Sequence, residues 1–155
     1  MEKIRIGVMG CAAIAQRSVI PAIIELNKLF ELVAVASRTM EKAEQYASLF
    51  NCEVVVGYEE LLKRQDIDAI YMPLPTGLHR EWVIKALKAG KHIYVEKSIA
   101  RTYEDAREMV ALAKSKGLAL MEGYMFRYHA QHKKVFELLD SGVVGLSLIH
   151  ISEPT

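Results

Sequence analysis

A turn rich in glycine and alanine lies near the start of the chain, at residues 7–15, between an apolar run and an amphipathic one. In a dinucleotide-binding turn, one small residue allows a sharp bend, a second lets the backbone approach a pyrophosphate, and a third lets helix and strand pack closely. Those three positions belong here to Gly10, Ala12 and Ala15. Ala13 and Ile14 belong to the same turn, and the helix that follows has first N–H groups and a dipole that favour an anion. The alternative is a turn built for close packing alone.

Two side chains at the end of the second apolar run indicate which dinucleotide the turn would bind. A site for NAD usually has a carboxylate about 20 residues beyond the turn, where it binds the ribose hydroxyls. This chain has Ser37 and Arg38 there, with Lys42 one helical turn further along. A guanidinium can bind a 2′-phosphate with two hydrogen bonds and stack on adenine. The sequence therefore predicts NADP as the preferred cofactor, with NAD as the second choice; the alternative is that Arg38 is simply a solvated arginine.

These residues belong to a chain in which apolar runs alternate with amphipathic stretches. The apolar runs are continuous, as expected for parallel strands covered on both faces. Strands are predicted at residues 4–9, 32–37, 54–56, 69–72, 92–95 and 118–121. Helices are predicted at residues 15–29, 40–50, 58–64, 79–87, 102–117 and 129–139. The alternation predicts an α/β fold, a doubly wound parallel sheet of the Rossmann kind with right-handed crossovers.

Local signals mark several helix ends. Pro21 predicts a bend or a late start in the first helix, because proline has no N–H to donate. Thr102 is a predicted N-cap, with Asp105 three residues later as its partner in a capping-box-like pair. Gly90 and Gly117 are predicted to end their helices in the left-handed conformation.

Three further segments follow the fourth, fifth and sixth predicted strands, at residues 72–79, 94–100 and 121–129. Open α/β sheets bind ligands at the carboxyl ends of their strands, so these segments should border one crevice. Together with the turn at Gly10 they resemble the Gfo/Idh/MocA family of oxidoreductases, and the likeness runs from Lys3 to about Gly145. Within that family the chain looks most similar to sugar dehydrogenases of the D-xylose and dihydrodiol dehydrogenase type.

The resemblance implies roles for residues of these segments. The family's Glu-Lys-Pro motif corresponds to Glu96-Lys97-Ser98, which implies that Lys97 is catalytic: it would hydrogen-bond the reacting hydroxyl and favour its alkoxide. Glu96 would then contact the nicotinamide riboside, and Arg127 matches an arginine near cofactor and substrate. The loop that family members fold against the cofactor corresponds to Pro73, Leu74, Pro75, Thr76 and His79. Ser98 and Ala130 stand where the family usually has proline.

The resemblance also implies a domain order. Residues 1–124 would form the NAD(P)-binding Rossmann domain, and residues 125–145 would begin a substrate domain whose remainder, with its general base, is missing. We therefore expect this fragment to bind cofactor and to turn over little. The parent would transfer hydride between nicotinamide and a sugar or polyol hydroxyl, as a homo-oligomer formed through the missing domain. Two alternatives remain, an NAD-dependent glycosidase of the same fold and a non-catalytic module that senses redox state.

The final ten residues, 146–155, break the strand–helix pattern. Their sequence resembles the translation of a transposon-end adapter used in preparing DNA sequencing libraries. We therefore expect residues 146–155 to be a non-native tail; the alternative is a genuine polar tail.

Composition and charge limit the classes of function that remain possible. A chain of 155 residues, 52% hydrophobic and 25% charged, fits one globular unit. Twenty basic and 19 acidic side chains give a net charge of +1, which argues against a nucleic-acid partner. No apolar run is long enough to span a bilayer and no signal-peptide pattern precedes the first strand, so we expect a cytoplasmic protein without a membrane partner. Cys11 and Cys52 form no metal or disulfide pattern, and His129 and His132 lack further ligands, so no metal is expected.

Overall fold

A single parallel sheet organises the first part of the chain. The structure, a computed structural model, describes residues 2–143 and residue 145. The strands are β1 (Ile4–Met9), β2 (Phe30–Ser37), β3 (Glu53–Val56), β4 (Ala69–Met72), β5 (His92–Val95) and β6 (Leu120–Glu122). Their order across the sheet is β3-β2-β1-β4-β5-β6, and every neighbouring pair is parallel. The strand order reverses direction beside β1, which is where open α/β sheets bind ligands. The predicted fold class, a doubly wound parallel sheet, is confirmed.

Helices cover both faces of this sheet. They are α1 (Ile20–Glu25), α2 (Met40–Phe50), α3 (Tyr58–Lys63), α4 (Thr76–Lys88) and α5 (Tyr103–Lys116). One more helix, α6 (Ala130–Asp140), follows them in the chain and is not counted among these covering helices. One apolar cluster packs α1 and α2 on one face, through side chains such as Ile20 and Tyr46. The other packs α3, α4 and α5 on the opposite face, through side chains such as Leu61, Val83 and Met109. Burial on both faces accounts for the continuous apolar sequences of the strands.

The first helix differs from the prediction of one helix over residues 15–29. A π-helical segment, Ala15–Val19, precedes α1, and α1 ends at Glu25. Pro21 is the second residue of α1, directly after the π-helical segment, so the helix changes its hydrogen-bond pattern where proline has no N–H to donate. The disturbance that Pro21 predicts is therefore present as a π-helical segment and not as a late start, because residues 13–25 are helical without a break.

Other helix ends follow their predicted signals. The Thr102 side chain accepts a hydrogen bond from the Asp105 N–H at 3.2 Å and caps α5. Gly117 and Gly90 have φ angles of +65° and +78°, the left-handed conformation that glycine adopts without strain. α4 begins at Thr76, three residues before the predicted start, because Pro75 already adopts the extended conformation of an N-cap.

The contacts divide the chain between Gly123 and Tyr124 into two compact units. The first unit holds the whole sheet. The second contains a 3₁₀ turn, Met125–Tyr128, and α6, at whose start the His129 ring accepts a hydrogen bond from the Gln131 N–H. Within residues 2–143 no helix is long and apolar enough to cross a membrane. The tail at residues 146–155 lies outside the described residues.

Candidate functional site

The turn after β1 is shaped by Gly10. Its φ angle is +112°, and a Cβ atom at this position would come within 2.8 Å of Leu74 Cδ2. The Gly10 N–H donates to the Ala36 carbonyl at 2.9 Å, which fixes the turn against β2. Ala15 is fully buried where the helical segment meets the sheet. A side chain at position 10 would thus be strained and would collide with the loop after β4.

A cleft of about 440 Å³ opens at this turn. It lies at the carboxyl ends of β1, β2 and β4. Its walls are Gly10, Cys11, Ala12, Ser37, Arg38, Thr39, Lys42, Tyr58, Pro73, Leu74 and Pro75. The structure therefore brings together, in one cleft, predicted site residues from three separate segments of the chain.

The charges at the β2 end of the cleft are cationic. Arg38 is exposed, Ser37 is buried, and the Ser37 Oγ accepts a hydrogen bond from the Thr39 N–H at 3.4 Å. Lys42 is the second cation, and its carbonyl is 3.6 Å from the Cys11 Sγ. Burial raises the pKa of the Cys11 thiol, with Ser37 and Lys42 opposing the shift, so Cys11 stays a neutral lining group at neutral pH.

The residues of the cleft fit a phosphorylated dinucleotide. Because Gly10 has no side chain, the space that a Cβ atom would fill stays open. The first N–H groups of a helix have no acceptor within the helix and can bind an anion. Arg38 and Lys42 are the charged side chains in the described wall, and both match a 2′-phosphate rather than bare ribose hydroxyls. A dinucleotide with a 2′-phosphate therefore suits the geometry and charge of this cleft.

A buried carboxylate follows β5. Glu96 is 9% exposed, and its Oε1 accepts a hydrogen bond from the Tyr71 hydroxyl at 2.9 Å. The Tyr71 ring stacks on Tyr94, its partner in the β4–β5 register, with ring centres 5.2 Å apart. Burial, followed by the Glu96 carboxylate, raises the pKa of Tyr71. Tyr71 therefore remains a hydrogen-bond donor and holds the carboxylate in place.

Lys97 follows this carboxylate and is exposed. The Lys97–Ser98 peptide is cis although Ser98 replaces the family's proline. Beyond it, the Ile99 N–H donates to Glu122 Oε1 at 2.7 Å, which fastens this segment to the end of β6. The lysine therefore stands on a segment tied to a neighbouring strand.

His79 occupies a different place from the one expected of a residue that contacts cofactor. Its side chain is fully buried. Its Nε2 lies 2.7 Å from the Leu74 carbonyl oxygen and its Nδ1 lies 2.8 Å from the Ser98 carbonyl oxygen. The part that His79 plays in the site is therefore indirect, through these two loops.

The remaining predicted residues divide between the two units. Pro73, Leu74 and Pro75 line the cleft, and Thr76 is the first residue of α4. Arg127 is exposed on the 3₁₀ turn of the second unit, so its assignment stays a prediction.

A cavity of about 500 Å³ also opens at the amino ends of the strands. Three of its charged side chains are paired: Arg5 bonds Asp68, and Arg64 bonds both Glu53 and Asp66. Ligands of open α/β sheets bind at the opposite edge. We therefore place the functional site in the cleft at Gly10.

Three residues of this region were not assigned a site role from the sequence. Tyr58 lines the cleft, Tyr71 holds Glu96, and Glu122 holds the segment after Lys97. The only signal in the sequence is position: a tyrosine within an otherwise apolar strand and a carboxylate at a strand end.

Comparison with known proteins identifies the class to which this site belongs. Residues 4–124 match a family of oxidoreductases with an NAD-binding Rossmann fold, the Gfo/Idh/MocA family. The match covers more than half of the chain. The chain therefore belongs to this family, as the motifs at the strand ends predict.

Individual relatives are reductases and dehydrogenases that act on sugars. The chain is 49% identical to a dTDP-3,4-didehydro-2,6-dideoxy-alpha-D-glucose 3-reductase of Saccharopolyspora spinosa, over 93% of this chain and 43% of that protein. It is 35% identical to a D-xylose 1-dehydrogenase (NADP(+)) of Haloferax volcanii, over 87% of this chain and 41% of that protein. The chain thus spans less than half the length of these relatives.

A solved structure shows the same fold. A 3-ketoreductase from Actinomadura kijaniata, in complex with NADP and TDP-benzene, superposes with a TM-score of 0.88 at 46% identity. The superposition covers 92% of this chain and 43% of that one. The described part of our chain therefore corresponds to less than half of that enzyme.

Proposed function

We propose that this chain is the cofactor-binding half of an NADP-dependent oxidoreductase that transfers hydride between nicotinamide and a sugar. The observation that carries the proposal is the cleft at the carboxyl ends of β1, β2 and β4, in which Arg38 and Lys42 stand where a site for NAD has a carboxylate. The Actinomadura relative, solved with NADP, supports the same cofactor.

The residues of the chain divide the work of binding. Gly10, Ala12, Ala13, Ile14 and Ala15 form the turn and helix start that receive the pyrophosphate. Arg38 binds the 2′-phosphate, with Ser37 beside it and Lys42 adding positive charge. Pro73, Leu74, Pro75 and Thr76 line the cofactor from the β4 side. Glu96, fixed by Tyr71, faces the nicotinamide riboside.

Lys97 is the catalytic group that this chain contributes. When bound, the nicotinamide supplies or accepts the hydride. The Lys97 ammonium donates a hydrogen bond to the substrate oxygen and stabilises negative charge on it as the carbon–oxygen bond changes order. The general acid or base comes from the part of the protein that lies beyond this chain, and Arg127 stays a predicted cofactor-binding residue.

The substrate that we propose is a nucleotide-linked keto sugar. Identity to the Saccharopolyspora reductase is 49%, against 35% to the D-xylose dehydrogenase. The relative from Actinomadura was solved with a TDP ligand as well as NADP. A dTDP-linked sugar with a carbonyl at carbon 3 is therefore favoured over a free pentose or polyol. No observation favours the glycosidase or the redox-sensing module.

The domain order remains part of the proposal. Residues 1–124 act as the Rossmann domain, residues 125–145 begin the substrate domain, and residues 146–155 are non-native. Assembly of the parent into a homo-oligomer and its place in the cytoplasm stay predictions.

The proposal is tested on the full-length enzyme that contains this segment. Supplied with NADPH and a dTDP-linked 3-keto sugar, the enzyme is expected to consume NADPH, followed by absorbance. Lys97→Ala is expected to lower kcat at least about 100-fold, because a positioned proton-donating group contributes about that much.

The matched control is Lys114→Ala, on the exposed last turn of α5, which should leave kcat unchanged. Turnover of free D-xylose but not of the dTDP-linked sugar would overturn the substrate assignment. Equal loss of kcat in both lysine variants would overturn the role of Lys97.

A further inference from the structure

His79 is a fully buried, ionisable side chain that binds two loops at once. Carbonyl oxygens only accept hydrogen bonds, so the ring satisfies both Leu74 and Ser98 when each ring nitrogen carries a proton. A neutral ring donates to one carbonyl at a time. Packing alone would not require the ring to contact two carbonyl oxygens that are 24 residues apart in sequence.

The Nε2 side of the ring acts on the cleft. Leu74 is 8% exposed, and its Cδ2 is the atom that limits the space at Gly10. The Leu74 carbonyl bonded to His79 belongs to the loop that walls the cleft on the β4 side. Loss of this hydrogen bond would free the cleft wall beside the phosphate-binding turn.

The Nδ1 side of the ring acts on the lysine segment. Its partner is the Ser98 carbonyl, in the residue directly after Lys97, and the Ile99 carbonyl lies 3.3 Å from the same nitrogen. On the other side, Glu122 accepts the Ile99 N–H. His79 and Glu122 therefore hold the residues after Lys97 from two directions.

We propose that His79 is a positioning residue: its Nε2 fixes the cleft wall and its Nδ1 fixes the segment that carries Lys97. One side chain, which contacts neither cofactor nor substrate, thereby fixes the position of the cleft wall relative to the segment that carries Lys97. This assignment rests on the proposed roles of the cleft and of Lys97.

Two conservative variants separate the two contacts. The amide nitrogen of asparagine takes the place of Nδ1, and that of glutamine takes the place of Nε2. His79→Asn therefore keeps a donor for Ser98 and loses the one for Leu74, whereas His79→Gln keeps Leu74 and loses Ser98. Each variant is the control for the other, because each loses one hydrogen bond at the same buried position.

Hydrogen exchange and NADPH binding report separately on the contact of His79 with Leu74 and on its contact with Ser98. In His79→Gln, the Ile99 amide is expected to exchange about tenfold faster, since a lost hydrogen bond weakens local protection, with NADPH affinity retained. In His79→Asn, Ile99 is expected to keep its protection, while the Leu78 amide, which donates to the Pro75 carbonyl at 2.8 Å at the end of the same loop, exchanges faster and NADPH affinity falls about tenfold. Exchange is measured without cofactor, so it decides the proposal even if the chain binds no NADPH, a result that would overturn the proposed function instead.

Equal changes at both sites in both variants, or no change in either, would show that His79 only packs, and would overturn the proposal. Should a variant fail to fold, the unmodified chain is measured by NMR. There we expect couplings across hydrogen bonds from Nε2 to the Leu74 carbonyl and from Nδ1 to the Ser98 carbonyl. Absence of either coupling would overturn the two-sided contact.

Discussion

Gly10 and Leu74 meet where the turn after β1 faces the loop after β4. The turn needs a left-handed backbone at Gly10, and the Leu74 methyl group occupies the space that a side chain would take. Both constraints act on Gly10, so a substitution by alanine, which adds one methyl group, tests them together. At this scale the site depends on the absence of a side chain as much as on the charges of Arg38 and Lys42.

Gly10→Ala is expected to lower the free energy of unfolding by about 1–3 kcal/mol, because the left-handed conformation is strained for alanine and Leu74 must move. Chemical denaturation measures the change. Gly77→Ala is the matched control: Gly77 lies in α4 with nothing within 4 Å of its Cβ position, so alanine there should be neutral or stabilising by up to about 1 kcal/mol. Equal effects of the two substitutions would contradict this account of the turn.

Neighbouring strands place the side chains that follow them. Tyr71 on β4 and Glu96 after β5 are 25 residues apart in sequence and meet because the two strands pair in register. The stacked Tyr71 and Tyr94 rings fill the space between the strands and the helices on that face. The hydroxyl of a buried ring thus orients a buried carboxylate at the edge of the site.

Tyr71→Phe is expected to lower the free energy of unfolding by about 1–3 kcal/mol, since the buried Glu96 oxygen loses its donor. Tyr103→Phe, at a tyrosine that is 72% exposed, should change it by less than about 0.5 kcal/mol. Denaturant titrations of the two variants provide the comparison. A stable Tyr71→Phe protein would show that the bond to Glu96 contributes little.

The contact between Tyr71 and Glu96 also predicts how the free energy of unfolding depends on pH. The pKa of Tyr71 is raised in the folded chain, so the contribution of this hydroxyl is present below about pH 10 and is lost as the pH rises, because the unfolded tyrosine ionises first. The Tyr71→Phe variant should therefore lose less stability than the unmodified chain above about pH 10. Parallel slopes for the two proteins would contradict the shift.

On the scale of the whole molecule, the sheet gathers the cofactor cleft and the lysine segment into the first unit, which ends at Gly123. The chain spans 43% of the Saccharopolyspora relative, so the substrate-binding groups that we propose belong to sequence beyond it. We therefore expect this chain to bind cofactor by itself.

The architecture and the cleft could be predicted from the sequence because their signals are local. Continuous apolar runs indicate buried parallel strands, and Gly10 and Arg38 are recognised by their distance from strand ends. The positioning role that we propose for His79 could not be predicted, because both of its partners are backbone carbonyls that carry no side-chain signal. The π-helical segment before α1 was also missed, since Pro21 indicates a disturbance but not its form.

The measurement that tests the central claim most directly is thermal unfolding of this chain with NADPH and, in parallel, with NADH. A ligand that binds only the folded state at a hundredfold excess over its Kd adds about 2.7 kcal/mol, or a rise of about 5–10 °C in Tm for a domain of this size. We expect the larger rise with NADPH. Arg38→Ala should reduce it to that of NADH, while Arg107→Ala, exposed on α5, should keep it. Equal shifts with both cofactors, or an unchanged preference in Arg38→Ala, would contradict the assignment of the 2′-phosphate site.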